Sequence, residues 1–264
     1  MTLSGVGIHS GKSVRVTLMP APPNSGIVFK REDRDGAIVR VRPETLVTAQ
    51  RATMLCEHSV TIRTPEHILS ACAGLHITNL IIAISDEEVP IMDGSSSPFV
   101  EAMQSVGITP QSELRAIVNL LAPLWIREGD AQLIITPANS PRWTYALDLS
   151  HTWVGTQIVS ISNDISEYVQ EIAPARTYGF MHEVQALIDR GLALGGSLDN
   201  ALVIGEQGYL NPPRFPDELA RHKLLDLVGD LSILGAQLNA HVIGIKSGHA
   251  LHMRAVQQIA QLQA

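Results

Sequence analysis

Arg221-His222-Lys223-Leu224-Leu225-Asp226-Leu227-Val228-Gly229-Asp230 is the stretch on which the reading of this 264-residue chain turns. His222 and Asp226 stand at i and i+4, so on a helix they share one face, and Asp230 continues that stripe one turn later. An imidazole and a carboxylate on one face form half of a divalent-metal site, with zinc the usual occupant. The same spacing also serves a solvated surface pair. A third ligand has to come from elsewhere, and Thr64-Pro65-Glu66-His67 offers His67 beside a potential general base, Glu66. The two stretches align. Laying Glu66-His67-Ile68-Leu69 through Gly74 on Arg221-His222-Lys223-Leu224 through Gly229 matches the His, the Leu two residues on and the Gly seven residues on. The expectation is two related halves, each giving one histidine from an equivalent helix, with a site at their junction.

Outward from these helices, Val14, Val16 and Leu18 alternate with Arg15 and Thr17 as in a strand, and Ile27-Val28-Phe29 follows a Pro/Asn/Ser/Gly turn. Thr64 reads as an N-cap with Pro65 at N1, opening a helix to about Gly74. Asn79 to Ile84 reads as a strand, and Pro98 opens a helix ending near Gly107. Ile108 to Glu113 reads as a linker, which places an N-terminal α+β domain at 1–113 and a C-terminal one at 114–264. Further strands are expected at Leu124–Arg127, Gln132–Thr136, Trp143–Leu149 and Val242–Lys246. Helices are expected at Met181–Arg190, at Asp217–Leu238 and at the C-terminus.

Hydrophobic residues make up 45% and charged residues 17%, enough for a substantial core and too apolar for global disorder. A net charge of -7 argues against nucleic acid as a partner, which needs a basic face. Two cysteines, Cys56 and Cys72, make no disulfide framework and suit a reducing compartment; Cys72 fits an apolar helix core. The N-terminus lacks the basic-then-apolar order of a signal peptide, and no apolar run approaches the ~18 residues of a membrane span. A soluble cytoplasmic protein is expected.

Zinc catalysis needs three protein ligands and one open position. His67, His222 and Asp226 would supply two nitrogens and an oxygen. Glu66 beside His67 could take a proton from water, although a Glu in a first helical turn is also favourable to the helix dipole. Lys246-Ser247-Gly248-His249 places a histidine at a strand end, where loops carry function. Asp230 could orient His249 and favour its charged form, making it an acid. Taken alone, His249 is an ordinary loop histidine. The residues lead to a zinc hydrolase with a Glu base and a His acid, and name no substrate. Asp217 and His151 read as surface groups without a metal role.

Five motifs in order, Thr64-Pro65-Glu66-His67, Ile91-Met92-Asp93-Gly94-Ser95, Ala175-Arg176-Thr177-Tyr178-Gly179-Phe180, His222-Lys223-x-x-Asp226 and Lys246-Ser247-Gly248-His249, resemble the zinc-dependent UDP-3-O-acyl-N-acetylglucosamine deacetylases of lipid A biosynthesis. The resemblance runs from Gly5-Val6-Gly7-Ile8-His9-Ser10-Gly11 to the C-terminus. It implies two α+β domains like domain 2 of ribosomal protein S5, each a sheet with two helices, stacked sheet–helices–helices–sheet. It implies one catalytic Zn2+ held by His67, His222 and Asp226, with Glu66 as general base. His249, paired with Asp230, matches the group that stabilises or protonates the departing amine, and Thr177 a hydroxyl that helps hold the oxyanion. Lys223 matches a contact to the substrate diphosphate, and Phe180 and Tyr178 flank the sugar. Met181 through Ala201 corresponds to an insert forming an apolar passage for the acyl chain, with Met181, Val184, Ala193, Gly196 and Ser197 along it. The substrate would be an amphiphilic UDP-sugar met by a monomer in transient contact with a membrane surface.

Two departures stand out. Relatives have a strand before the Gly-Val-Gly-Ile-His segment, so the first domain is expected to lack an edge strand. Leu149 stands where an aromatic would stack on uracil. A hydrolase of another N-acyl sugar on the same scaffold is one alternative. A non-catalytic binding relative is another, and the presence of Glu66, His249 and all three ligands argues against it.

Overall fold

In the computed structural model, which describes residues 1–47, 52–150 and 152–263, alternating sequence becomes two hairpins in the first half. β1 (Thr2–Val6) pairs antiparallel with β2 (Ser13–Pro20), and β3 (Ile27–Arg31) with β4 (Ala37–Arg40). Val14, Val16 and Leu18 are buried while Ser13 and Arg15 face solvent, the period of two that a one-sided sheet requires. A small sheet of β5 (Leu46–Val47), β6 (Met54–Glu57) and β7 (Val60–Arg63) follows. Then come α1 (Glu66–Gly74), β8 (Leu80–Ile84) and α2 (Ser97–Val106). β8 slots between the hairpins, antiparallel to β2 and parallel to β3, in the order β1-β2-β8-β3-β4. Its nearly continuous burial is that of a central strand.

The second half holds β9 (Ile117–Asn119), β10 (Leu124–Glu128), β11 (Ala131–Pro137), β12 (Arg142–Leu149) and β13 (Gly155–Ile161). Next are α3 (Ile165–Glu167), a π-helical turn at Tyr168–Ile172, β14 (Tyr178–Phe180), α4 (Met181–Asp189) and β15 (Leu202–Ile204). α5 (Glu218–Leu231), β16 (Gln237–Ile245) and α6 (His249–Gln263) close the chain. The sheet order is β10-β11-β16-β12-β13, with β9 beside β16. β16 runs antiparallel to β11 and parallel to β12. Both large sheets therefore set a late strand between two earlier hairpins, with the same pattern of directions.

α1 packs on α5, α5 on β12 and β13, and α6 on β10 and β11, over one continuous apolar core. The α1–α5 crossing is close at Gly229, where a Cβ would stand 2.1 Å from the carbonyl oxygen of Glu66. That contact sets the two histidine-bearing helices side by side.

The structure corrects several expectations. Pro65, not Thr64, is the N-cap of α1, without a side-chain cap bond. Thr64 is left-handed (φ 53) and its hydroxyl meets Glu88 Oε1 at 3.4 Å, so it is committed across the fold and not to the helix. The helix expected to reach Leu238 ends at Leu231, followed by one 3-10 turn; Gly235 (φ 68) stops it, and β16 begins at Gln237 instead of Val242. The edge strand expected to be lacking is β1. The small sheet and β4, β9, β13, β14 and β15 have no counterpart among the expected strands; all but β13 are of two to four residues. His151 lies outside the described residues. Among those residues, no helix is long and apolar enough to cross a membrane.

Candidate metal centre and active site

α1 carries His67 in its first turn and α5 carries His222 and Asp226 one turn apart, so the α1–α5 packing brings the three together. His67 Nε2 lies 3.6 Å and His222 Nε2 3.4 Å from Asp226 Oδ1. The two rings meet edge to face, 5.0 Å between centroids. One donor atom from each residue falls within 4.8 Å of the others, and all three residues are buried. The donor chemistry fits a divalent cation. His222 Nδ1 donates to the Ala175 carbonyl (3.1 Å), which leaves Nε2 a free lone pair. Burial pushes the His222 pKa down to about 3, keeping the neutral ring a metal requires. Burial alone would raise the Asp226 pKa, but Lys223, on Oδ2 at 2.8 Å, and His222 hold it well below the carboxylate range. Glu66 Oε2 and His67 Nδ1 are buried without a hydrogen-bond partner, so the polar chemistry here is incomplete without a further group.

Glu66, also buried, sits at the first position of α1. Burial raises its pKa to about 7, against the opposing pull of the His249 charge. His249 Nε2 stands 3.9 Å from Glu66 Oε1, and its Nδ1 is 2.7 Å from Asp230 Oδ2. Burial disfavours the imidazolium, yet Asp230, then Glu66 and Asp226, outweigh it and raise the His249 pKa to about 9. Asp230 is held low in turn, ionised despite its burial, because His249 and His252 both face it. A carboxyl poised to accept a proton thus faces an imidazolium poised to give one.

These groups open into a cavity of about 630 Å³. Thr177, Tyr178, Phe180 and Lys223 line it together with Glu66, the three candidate ligands and His249. Lys223 Nζ lies 5.6 Å from the Tyr178 ring centre. Met181, Val184, Ala193, Gly196 and Ser197, from α4 and the turn after it, form another wall. The structure therefore gathers every sequence-selected residue around one space except Asp230, which lies behind His249. Leu149 is instead half-buried against the core at the end of β12.

Sequence reasoning missed the contacts that hold this arrangement, including those of motif residues such as Arg176 and Asp93. Arg176 bonds the carboxylate of Glu218, the first residue of α5, at 2.8 and 3.2 Å, both buried. Thr177 N donates to Gly94 O and Ser96 Oγ to His67 O, both at 2.8 Å, and Arg214 meets Asp93 at 2.9 Å. The Ile91–Ser95 motif thus joins the halves beside the site. Glu88 accepts the backbone N–H groups of His9 and Ser10, each at 2.8 Å, shaping the Gly7–Gly11 turn. That turn receives the loop after α4 through Gly195 N to Ile8 O (3.0 Å) and Leu194 N to His9 O (3.2 Å). Ile8, His9, Ile91, Leu187, Leu198 and Leu210 add to the cavity wall. Glu88 was one of three successive acids, and backbone carbonyls leave no mark in sequence.

A mixed α+β chain with this cavity, a poised carboxyl–imidazolium pair and a cluster of nitrogen and oxygen donors has the make-up of a hydrolase. The family model LpxC, UDP-3-O-acyl N-acetylglycosamine deacetylase, matches residues 1–261. Curated relatives named UDP-3-O-acyl-N-acetylglucosamine deacetylase are similar along nearly the whole chain. The protein of Thermosynechococcus vestitus is 44% identical over 260 residues, 98% of this chain and 90% of the relative. That of Syntrophotalea carbinolica is 40% identical over 262 residues, 98% and 85% of the two chains. That of Chromobacterium violaceum is 38% identical over 268 residues, 99% and 88%. The chain belongs to the LpxC deacetylase family and is an enzyme of the hydrolase class.

Proposed function

We propose that this protein is a zinc-dependent amidohydrolase that removes acetate from UDP-3-O-(3-hydroxyacyl)-N-acetylglucosamine, the committed step of lipid A biosynthesis. The observation that carries the reading is the union, in one cavity, of the His67–His222–Asp226 cluster, the raised Glu66 carboxyl and an apolar wall. His67 Nε2, His222 Nε2 and Asp226 Oδ1 would hold the ion. Bound there, zinc supplies Lewis acidity for the scissile amide.

The protein's own groups divide the remaining work. Glu66 takes the proton of the attacking water, its pKa of about 7 matching that task near neutral pH. Thr177 Oγ1 donates to the oxyanion that forms on the amide carbon. His249 donates its Nε2 proton to the amine nitrogen as the C–N bond breaks, releasing acetate and a free amine, and Asp230 stabilises the charged ring until then. Lys223 offers a point charge to the diphosphate, Tyr178 and Phe180 flank the sugar, and the wall from Met181 to Ala201 takes the acyl chain. In the same reading the chain forms two domains, 1–113 and 114–264, each a sheet with two helices like domain 2 of ribosomal protein S5. They stack sheet–helices–helices–sheet, a reading supported by the shared strand order of the two sheets. A cytoplasmic monomer that meets its amphiphilic substrate at a membrane surface completes it.

The test joins metal analysis to acetate release from UDP-3-O-acyl-N-acetylglucosamine. One zinc per chain and rapid release are expected, with zinc lost or strongly weakened in His67→Ala, His222→Ala and Asp226→Ala. Full zinc retention in all three variants would sink the ligand assignment.

A further inference from the structure

His252 takes no part in the chemistry above, yet it is fully buried and tied to it. It lies on the first turn of α6, three residues after His249. Its Nδ1 is 2.7 Å from Asp230 Oδ2, the same oxygen that His249 Nδ1 meets at 2.7 Å. Thr53 donates to Oδ1. On its other side, His252 Nε2 faces Ser247 Oγ at 2.9 Å, and the Ser247 carbonyl receives the Tyr145 hydroxyl. The directions of these bonds follow. A carboxylate only accepts, so His252 Nδ1 carries a proton. Burial lowers the pKa of His252, so the ring is neutral, its Nε2 is bare, and Ser247 donates to it. Asp230, His249 and His252 together also offer metal-type donors. A nitrogen–oxygen separation of 2.7 Å is that of a direct charge-assisted hydrogen bond, shorter than two ligands spanning an ion would keep.

We propose that His252 is a positioning residue for the deacetylation, whose Nδ1–H holds the Asp230 carboxylate in the rotamer that presents Oδ2 to His249 and so aims His249 Nε2 into the cavity. The proposal rests on the reading of His249 as proton donor. Thr53 holds Oδ1 and His249 meets Oδ2; the second ring on Oδ2, itself anchored by Ser247, is a further bond that any swing about the Cβ–Cγ bond must break.

The test uses His252→Leu and His252→Asn, in wild-type and His249→Ala backgrounds, with kcat and KM for acetate release, zinc content and nitrogen-15 NMR of the imidazoles of the zinc-loaded enzyme. His252→Leu should lose tenfold or more in kcat with KM and zinc unchanged. His252→Asn, whose side-chain N–H reaches the place of Nδ1–H, should regain most of the loss. In the His249→Ala background, His252→Leu should change nothing further. The wild-type spectrum should show His252 as the Nδ1–H tautomer. Unchanged kcat in the leucine variant, no recovery in the asparagine variant, a full additional loss in the His249→Ala background, or an Nε2–H tautomer would each overturn the proposal. Near-normal turnover by His249→Ala alone would instead overturn the parent reading. Where His252→Leu does not fold, Ser247→Ala carries the test. It should lower kcat and shift His252 toward the Nε2–H tautomer, and no change in either overturns the proposal.

Discussion

At the scale of single residues, what distinguishes Glu66 from the equally buried Asp226 and Asp230 is that burial outweighs the neighbouring cations, whereas Lys223 and His222 hold Asp226 low and His249 and His252 hold Asp230 low. Desolvation lifts the Glu66 pKa to about 7, while His249, facing Asp230, is lifted to about 9. Activity should therefore rise as Glu66 loses its proton near pH 7 and fall as His249 loses its own near pH 9. In Asp230→Asn the charge that raises His249 is gone, so the basic limb of the kcat–pH profile should move to lower pH; an unmoved limb removes Asp230 from that role. The same shift has a stability consequence. The His249 pKa is raised above the ordinary 6.5, so its stabilising contribution is complete below that pH and is lost as pH rises through about 9. Glu66→Gln keeps the side-chain size and removes the proton acceptor. It should retain zinc and KM and lose about 10²–10⁴-fold in kcat, measured by acetate release. Near-normal turnover would exclude Glu66 as the base.

At the scale of elements, the site depends on how closely α1 and α5 approach. Gly229 permits it, since a Cβ there would stand 2.1 Å from the Glu66 carbonyl oxygen, a backbone atom unable to move aside alone. Gly229→Ala should force the helices apart, cost about 1–3 kcal/mol or more in urea denaturation, and weaken zinc binding, because His67 rides on one helix and His222 and Asp226 on the other. Unchanged stability and zinc affinity would show that the crossing has slack. The same glycine was already visible in sequence as the partner of Gly74 in the aligned helices. Gly74, however, meets the ring of Tyr168 and not a backbone, so matched positions carry different contacts. The end of α5 is not legible in the sequence, because Ile233, Leu234 and Leu238 continue an apolar pattern that suits helix and strand alike, and Gly235 decides the matter through its backbone conformation.

At the scale of the whole molecule, the cavity is a joint product of distant segments. The loop after α4 is hooked to the Gly7–Gly11 turn through Gly195 N and Leu194 N, and a Cβ at Gly195 would stand 2.3 Å from Gly7 O. Each methylene buried there is worth ~0.8 kcal/mol before ordering costs, so a long acyl chain could contribute several kcal/mol. The substrate without its 3-O-acyl group should be deacetylated orders of magnitude more slowly. Gly196→Trp and Ala193→Trp should penalise long chains selectively in kcat/KM while zinc stays bound. Ala193 already has φ 56, so the larger side chain there adds strain as well as bulk. Equal rates across chain lengths in the wild type would refute the acyl passage and favour a deacetylase of generic N-acetyl sugars.

By itself, the sequence determined the α+β class, the two helices that bear the donors, and the residue types the chemistry needs, because these follow from periodicity and from spacings within one helix. His222 and Asp226 share a face wherever that helix is placed. Only the tertiary structure decided that His67 joins them, that Asp230 serves two imidazoles, and that Glu88, Arg176 and Glu218 brace the surroundings. Those relations join residues far apart in sequence, such as Asp230 and Thr53, or use backbone carbonyls such as that of Ala175. A one-dimensional pattern carries no record of which distant groups meet. Packing sets that, and with it the burial that lifts the Glu66 pKa and the facing carboxylates, Asp230 first, that lift that of His249 against its burial.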